Sequence, residues 1–384
     1  MRRVYLDHNA STPVHPDVLA AMMPYFSERF GNASSIHGFG REARDGIDVA
    51  REKIASFVGV TPEEIVFTSG GTESDNLAVK GVAGAKPGGH IVTTVVEHHA
   101  LLRTCQALEK IGHPVTYLPV DGQGLIDPDD VRRALRPDTI LISIQTANSE
   151  SGTLMPIQEI GRIAAERGIP FHADGVQTFG KLPLSPRETG LTLMSMSAHK
   201  IYGPKGIGAL YIAKGTRMVS VQHGGDHERR RRAGTEHVPG IVGFGKAVEL
   251  RTRYMAAEEV RVTALRDRLW DGVRGAVPDV LLNGHPTRRL PGTLNMSFHG
   301  IEAESIILGL DLKGIAVSAG SACTSGSLEP SYVITAMGVP VDWALGAVRT
   351  SLGAGTTVED IGYVLEVLPA VVQRIRAMSP AGAA

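Results

Sequence analysis

Glu64-Ile-Val-Phe-Thr-Ser-Gly-Gly-Thr-Glu-Ser-Asp75 is the stretch whose reading decides the fold. Glu64–Thr68 reads as a short buried strand, a turn of small residues follows, and a helical pattern takes over at Ser74–Val82. A strand that runs through a glycine turn into a helix is the opening of an α/β unit. Thr72 stands where a side chain can cap the helix. Such a junction aims free backbone N–H groups and the positive end of a helix dipole at an anion, and a phosphate suits it. The bland alternative stays open here, since glycine turns after strands are common. The stretch is not a P-loop, because no lysine follows the glycine in the required place.

Outward from this junction the alternation continues. Further strands are expected at His90–Thr94, Val115–Leu118, Thr139–Ile144, Pro170–Ala173, Leu193–Ser197 and Gly208–Ile212. Helical patterns fill the gaps at Ala100–Ile111, Asp129–Ala134 and Ile157–Arg167. This predicts a doubly wound, mostly parallel sheet with ligands beyond the carboxyl ends of its strands. After about residue 250 the character changes. A charged amphipathic helix is expected at Thr252–Val277, a strand near Gly292–Phe298 and a final helix at Val358–Met378. Two domains follow: a large one over 15–250, and a smaller α/β one built from 1–14 and 251–384.

The composition excludes several classes of function. Of 384 residues, 42% are hydrophobic and 21% charged, and the net charge is −1, so no global field recruits nucleic acid or an anionic membrane. The basic run Arg229–Arg232 is the exception, readable as a solvated loop or a functional one. No apolar stretch approaches the roughly 20 residues that span a bilayer. The amino terminus has no apolar core behind its two arginines, so the cytoplasm is the expected location. Two cysteines, Cys105 and Cys323, make no disulfide framework.

Four places invite chemistry. Asp174, in Phe171-His-Ala-Asp-Gly-Val-Gln177, ends a buried strand, where a carboxylate needs a helix to cap, a metal or a cationic partner. Lys200, in Ser195-Met-Ser-Ala-His-Lys-Ile-Tyr-Gly-Pro-Lys-Gly206, follows a strand among small and polar residues. A lysine that loses its proton there can form a Schiff base, whereas Lys205 between Pro204 and Gly206 reads as a loop lysine. Cys323 lies in Ser318-Ala-Gly-Ser-Ala-Cys-Thr-Ser-Gly-Ser327, a run with no apolar face to bury. It is either an idle surface thiol or one placed to work, and glycines on both sides would permit the movement that work requires. Cys105 sits in the apolar pattern Leu101–Leu108 and is expected in the core. His98 and His99 are adjacent and cannot share a helix face, so they do not suggest a metal site; no metal is expected.

Taken together these stretches resemble the cysteine desulfurases of the NifS/IscS type. The similarity also rests on Tyr5-Leu-Asp-His-Asn-Ala, Phe30-Gly-Asn-Ala-Ser-Ser-Ile-His37, Val95-Val-Glu-His98, Arg232-Ala-Gly-Thr235 and Gly320-Ser-Ala-Cys-Thr-Ser-Gly-Ser-Leu-Glu-Pro330, in family order over nearly the whole chain. The resemblance implies the aspartate-aminotransferase-like fold of PLP-dependent transferases, working as a homodimer with pyridoxal 5′-phosphate. It implies that Lys200 carries the cofactor, Asp174 pairs with the ring nitrogen, Gln177 with the ring hydroxyl, and His98 stacks on the ring. Gly71, Thr72, Ser197 and His199 would hold the phosphate, with Thr235 reaching in from the other subunit. Arg349 would grip the carboxylate of L-cysteine, with Asn32 a further candidate nearby. Cys323 would take the sulfur as a persulfide and pass it to an acceptor protein, an iron–sulfur scaffold or a sulfur relay. Neither a nucleic acid nor a membrane is implied as a direct partner.

One departure stands out. The run Ala147-Asn-Ser-Glu-Ser-Gly152 has Ser149 where the family usually has a second asparagine contacting the cofactor hydroxyl and substrate. A serine hydroxyl reaches less far and lacks the second polar group of an amide. A shifted or water-bridged contact is expected, with function kept. The rival readings are a related lyase acting on selenocysteine or cysteine sulfinate, an aminotransferase, and an idle binding protein. The Cys323 run is unexplained by the second, and Lys200, Asp174, Arg349 and Cys323 together oppose the third.

Overall fold

The computed structural model describes residues 2–320 and 329–378. Cys323 therefore lies outside the described residues. The chain opens with a two-residue strand, β1 (Val4–Tyr5), and then builds a seven-stranded sheet. Its strands are β2 (Ile65–Thr68), β3 (His90–Thr94), β4 (Val115–Leu118), β5 (Thr139–Ser143), β6 (Phe171–Asp174), β7 (Leu193–Ser197) and β8 (Gly208–Ile212). Their spatial order is β2-β8-β7-β6-β5-β3-β4. All the neighbours pair in parallel except those of β8, which runs antiparallel to both β7 and β2. The expected parallel sheet thus holds with one reversed strand. The carboxyl ends of β2, β3, β5, β6 and β7 consequently share one edge.

Most of these strands are buried along their length, as sheets covered on both faces must be. Helices Gly71–Ala85, His99–Glu109 and Ile157–Arg167 return the chain between them. A second, three-stranded antiparallel sheet joins β9 (Val280–Asn283), β10 (Thr293–Phe298) and a later strand, with β10 central. After β11 (Ile315–Ala316), which pairs in parallel with β1, that later strand is β12 (Ala347–Ser351).

The helix expected at Thr252–Val277 begins earlier and is one element, Val238–Ala276. Its amino half puts Ile241, Phe244, Ala247 and Val248 into the core under the large sheet. Its carboxyl half puts Val262, Leu265, Leu269 and Val273 into a separate core with Val4, Leu6 and the β10 residues Leu294 and Met296. The expected boundary at 250 therefore falls inside a continuous helix. The charge pattern marked where the helix changes core, not where it starts. The small-sheet region also lends Val333, Ile334, Met337 and Ala347 to the first core.

Candidate active site

At the end of β2 the helix starts at Gly71, with Gly70 as its amino-terminal residue at φ 150° and no side-chain cap. Thr72 is inside the first turn, so its expected capping role is corrected. Glu73 instead accepts a hydrogen bond from the Ser69 amide at 2.7 Å and pairs with the Arg232 guanidinium. The arginine run is thereby tied to this turn. Space here is tight: a Cβ on Gly71 would stand 2.7 Å from Val176 Cγ2, and one on Gly70 would lie 3.9 Å from Ser197 Oγ. Ser197, the last residue of β7, has a buried hydroxyl with no partner among the described residues. An uncapped 15-residue helix beside an unpartnered buried hydroxyl is a place for an anion.

Asp174 ends β6, and one carboxylate oxygen accepts from the Val176 amide at 2.9 Å. It thus does cap the turn that follows, with its other oxygen left for a further partner. Burial holds its carboxyl above the usual range, opposed by His98, the Val176 N–H and Lys200. His98, after β3, caps the helix His99–Glu109 by accepting from the Ala100 amide at Nδ1. Its imidazole is held low by burial, with Asp174 pulling it up and Lys200 pushing it down. These mutual influences place His98, Asp174 and Lys200 around one space. His99 points away and packs on the Tyr332 ring, centroids 4.8 Å apart.

Lys200 Nζ donates to the Asn9 and Ala10 carbonyl oxygens, the latter at 2.9 Å. His199 lies 3.3 Å from Ser11 Oγ, and burial together with Lys200, Lys205 and Lys181 pushes its imidazole down to about 4. Lys205 is exposed, as a loop lysine should be.

Gln177 donates from Nε2 to the Asn9 carbonyl at 3.1 Å. Ser149 contributes through its backbone: its carbonyl accepts from Asn9 Nδ2 and from Arg349 Nη1, both at 3.1 Å. The contacts of Ser149 with these two residues run through its main chain and not its hydroxyl. The amide scaffold of that loop is Asn148, whose Oδ1 accepts from the Glu150 and Ser151 amides. Arg349, on β12 and 2% exposed, also donates to Asp7 Oδ1 at 2.9 Å, while its Nε is buried without a partner among the described residues.

Two expected residues are not brought to this space within the chain. Asn32 is exposed and turns its Oδ1 back to the Ser34 amide, and Thr235 is exposed. Cys105 is fully buried, and burial pushes its thiol up to about 12, the state of an inert core cysteine.

Several residues at the site escaped the sequence reading. Glu97, beneath His98, accepts from the Thr94 hydroxyl and the Gln145 amide, and burial pushes its carboxyl up to about 8. Asp75 is buried and held well above the usual carboxylate range by desolvation and by Asp174. His172 is held neutral, at about 3, between the Ser143 and Ser195 hydroxyls. Asp7 and Asn9 belong to the quoted Tyr5–Ala10 stretch, but nothing local marks them as partners of Arg349 and Lys200. The one usable signal was the spacing of Gln177 and Lys181, four residues apart.

The arrangement can hold an anion at one end, a cationic ring atom at Asp174 and a carbonyl carbon on Lys200. Comparisons with known proteins agree with it. Residues 4–364 match the family model "Aminotransferase class-V". The chain is 54% identical to the cysteine desulfurase IscS of Dictyoglomus turgidum, covering 99% of this chain and 97% of that one. It is 52% identical to the cysteine desulfurase IscS of Methanosarcina thermophila, covering 99% and 94%. Among solved structures it resembles a NifS-like protein, with a TM-score of 0.91 at 37% identity, covering 97% of this chain and all of the other. It also resembles SspA in complex with cysteine, with a TM-score of 0.81 at 38% identity, covering 91% and 99%.

Proposed function

Since the chain belongs to the class-V aminotransferase family and is a cysteine desulfurase, we propose that it works on pyridoxal 5′-phosphate held by Lys200 and delivers sulfur through Cys323. The observation that carries this reading is the placement of His98, Asp174 and Lys200 at or just beyond the carboxyl ends of β3, β6 and β7, on the sheet edge where the uncapped helix at Gly71 starts. The residues fit the cofactor. The backbone at Gly71 and Thr72, with Ser197 and His199, suits its phosphate, and the orphaned Ser197 hydroxyl has the donor to spare. Asp174 suits the protonated ring nitrogen, which would draw its raised carboxyl back to the ionised form. His98 would lie on the ring, and the second hydrogen of Gln177 Nε2 would meet the ring hydroxyl.

When bound, pyridoxal phosphate supplies an electron sink that loosens the substrate's Cα proton and its carbon–sulfur bond. The chain supplies the rest. Arg349 receives the substrate carboxylate on a planar fork already oriented by Asp7 and the Ser149 carbonyl. Lys200, as a free amine, would take the Cα proton. Cys323, as thiolate, attacks the substrate sulfur. A sulfur–sulfur bond would form as the carbon–sulfur bond breaks and its electron pair stays on Cβ; Cβ would take up one proton and Cα would recover the one held by Lys200, so alanine leaves and Cys323 keeps the sulfur.

Thr235 and Asn32 would complete the site of a second copy. The exposure of Phe30, Ile36 and Phe39 around Asn32 supports a homodimer, since such side chains belong in an interface. We keep 15–250 as the cofactor-binding unit and 1–14 with 251–384 as the small one, a division supported by the two cores served by opposite halves of the helix Val238–Ala276. No helix among the described residues is long and apolar enough to cross a membrane, and we place the enzyme in the cytoplasm. Its persulfide would serve an acceptor protein for iron–sulfur clusters or thio-cofactors. The test is direct: purified protein given L-cysteine, pyridoxal phosphate and a reductant should release alanine and sulfide in equal amounts. Equal release by Lys200→Ala would overturn the reading.

A further inference from the structure

Lys181 follows Gln177 by four residues in the turn after β6 and is absent from every role assigned above. Its ammonium donates to Gln177 Oε1 at 2.9 Å and to Asn9 Oδ1 at 3.2 Å. An ammonium has donors and no acceptor, so both amides must turn their oxygens toward it. That fixes what their nitrogens do. Asn9 Nδ2 donates to the Ser149 carbonyl at 3.1 Å and to Thr293 Oγ1 at 2.8 Å. Gln177 Nε2 donates to the Asn9 carbonyl, the same oxygen that accepts from Lys200 Nζ. Through Asn9, one half-buried cation thereby reaches the proposed cofactor lysine, the ring-hydroxyl partner and the loop that holds Arg349.

We propose that Lys181 is a positioning residue for the desulfurase reaction: it locks the amides of Asn9 and Gln177 and, as a second cation on Asn9, disfavours a proton on Lys200. The proposal rests on the assignment of Lys200 to the cofactor. The surroundings fit a charge kept for a purpose and not for stability. Burial first, and then Lys200, Arg349 and Arg251 around it, push the ammonium down to about 7, with Glu258 opposing them among the described residues. The imidazole of His8 is in turn pushed down to about 4, by burial first and Lys181 second. A cation in so unfavourable a setting is the expected mark of a functional group.

The experiment compares the loaded wild-type, Lys181→Met, Lys181→Gln and Lys181→Arg proteins without substrate. The readout is the pH midpoint of the cofactor's absorbance band, with thermal unfolding of each protein recorded beside it. Removing a neighbouring like charge should raise the midpoint in Lys181→Met and Lys181→Gln, by up to about one unit where the midpoint lies below pH 7 and Lys181 is charged. Lys181→Arg, which keeps charge and donors, should return it toward wild type. With substrate, the Met variant should lose about tenfold in kcat with KM changed less, as expected when orientation and not binding is lost. A wild-type midpoint in both neutral variants would overturn the proposal, even with unfolding temperatures lowered, because a merely structural lysine behaves so. Persistence of the band's titration in Lys200→Ala would instead overturn the cofactor assignment beneath it.

Discussion

Glu97 offers a sharp test of how charge is distributed behind the cofactor site. Its carboxyl is fully buried, and desolvation outweighs the hydrogen bonds from Thr94 and the Gln145 amide, raising it from 4.5 to about 8. In the unfolded chain it ionises at the ordinary value, so between about pH 4.5 and 8 the folded protein holds the extra proton. Stability from this group is therefore complete below pH 4.5 and is lost as pH rises to about 8. At about 1.4 kcal/mol per pH unit, the whole loss is about 5 kcal/mol as an upper figure. Glu97→Gln removes the titration and keeps the bonds, since an amide can accept from the Gln145 N–H and donate to the Thr94 hydroxyl. Urea midpoints of the two proteins, at equal cofactor loading, should be compared at steps from pH 5 to pH 8. The variant should gain on wild type steadily across the series and level off above it. If the two curves stay parallel, Glu97 is ionised in the fold, and burial does not govern its carboxyl.

Other perturbations probe separate parts of the account. Arg349→Lys should raise KM for cysteine by about 10- to 100-fold with the cofactor spectrum unchanged, because a point charge cannot reproduce a fork; steady-state kinetics would show it. Ser149→Ala should change KM less than about threefold, since the contacts to Asn9 and Arg349 use its carbonyl; a larger effect would assign the hydroxyl a direct role. Arg51→Met should destabilise by about 3–5 kcal/mol in urea unfolding, because Arg51 holds the buried Glu228 through two bonds of 2.7 Å.

Much of this was legible in the sequence, for a physical reason. Strands β2 to β8 are short apolar runs with glycine or polar breaks, so periodicity and turn residues located all of them. Asp174 and Lys200, at or just beyond their carboxyl ends, were conspicuous because polar groups at the ends of buried strands need partners, whereas Ser197 entered only through the family resemblance. The reversal of β8 was not legible, since a buried strand reads the same in either direction. Nor was the start of the helix at Val238, where Pro239, Gly240, Gly243 and Gly245 imitate a loop. Gly243 and Gly245 lie so close to Met22 and Ala50 that a Cβ would clash, so they serve packing rather than a turn. Asn9 escaped for a different reason, and of Lys181 only its spacing from Gln177 could be read. Their importance lies in a network joining residues 9, 149, 177, 181, 200 and 349, which only the fold brings together.

The claim at the centre is that sulfur leaves the substrate onto Cys323. Protein given one equivalent of cysteine, then alkylated, digested and weighed by mass spectrometry, tests it most directly. The account predicts one added sulfur atom on the peptide carrying Cys323, none on Cys105, and alanine in matching amount. Alanine released with Cys323 unmodified at every time point, or undiminished in Cys323→Ser, would contradict it.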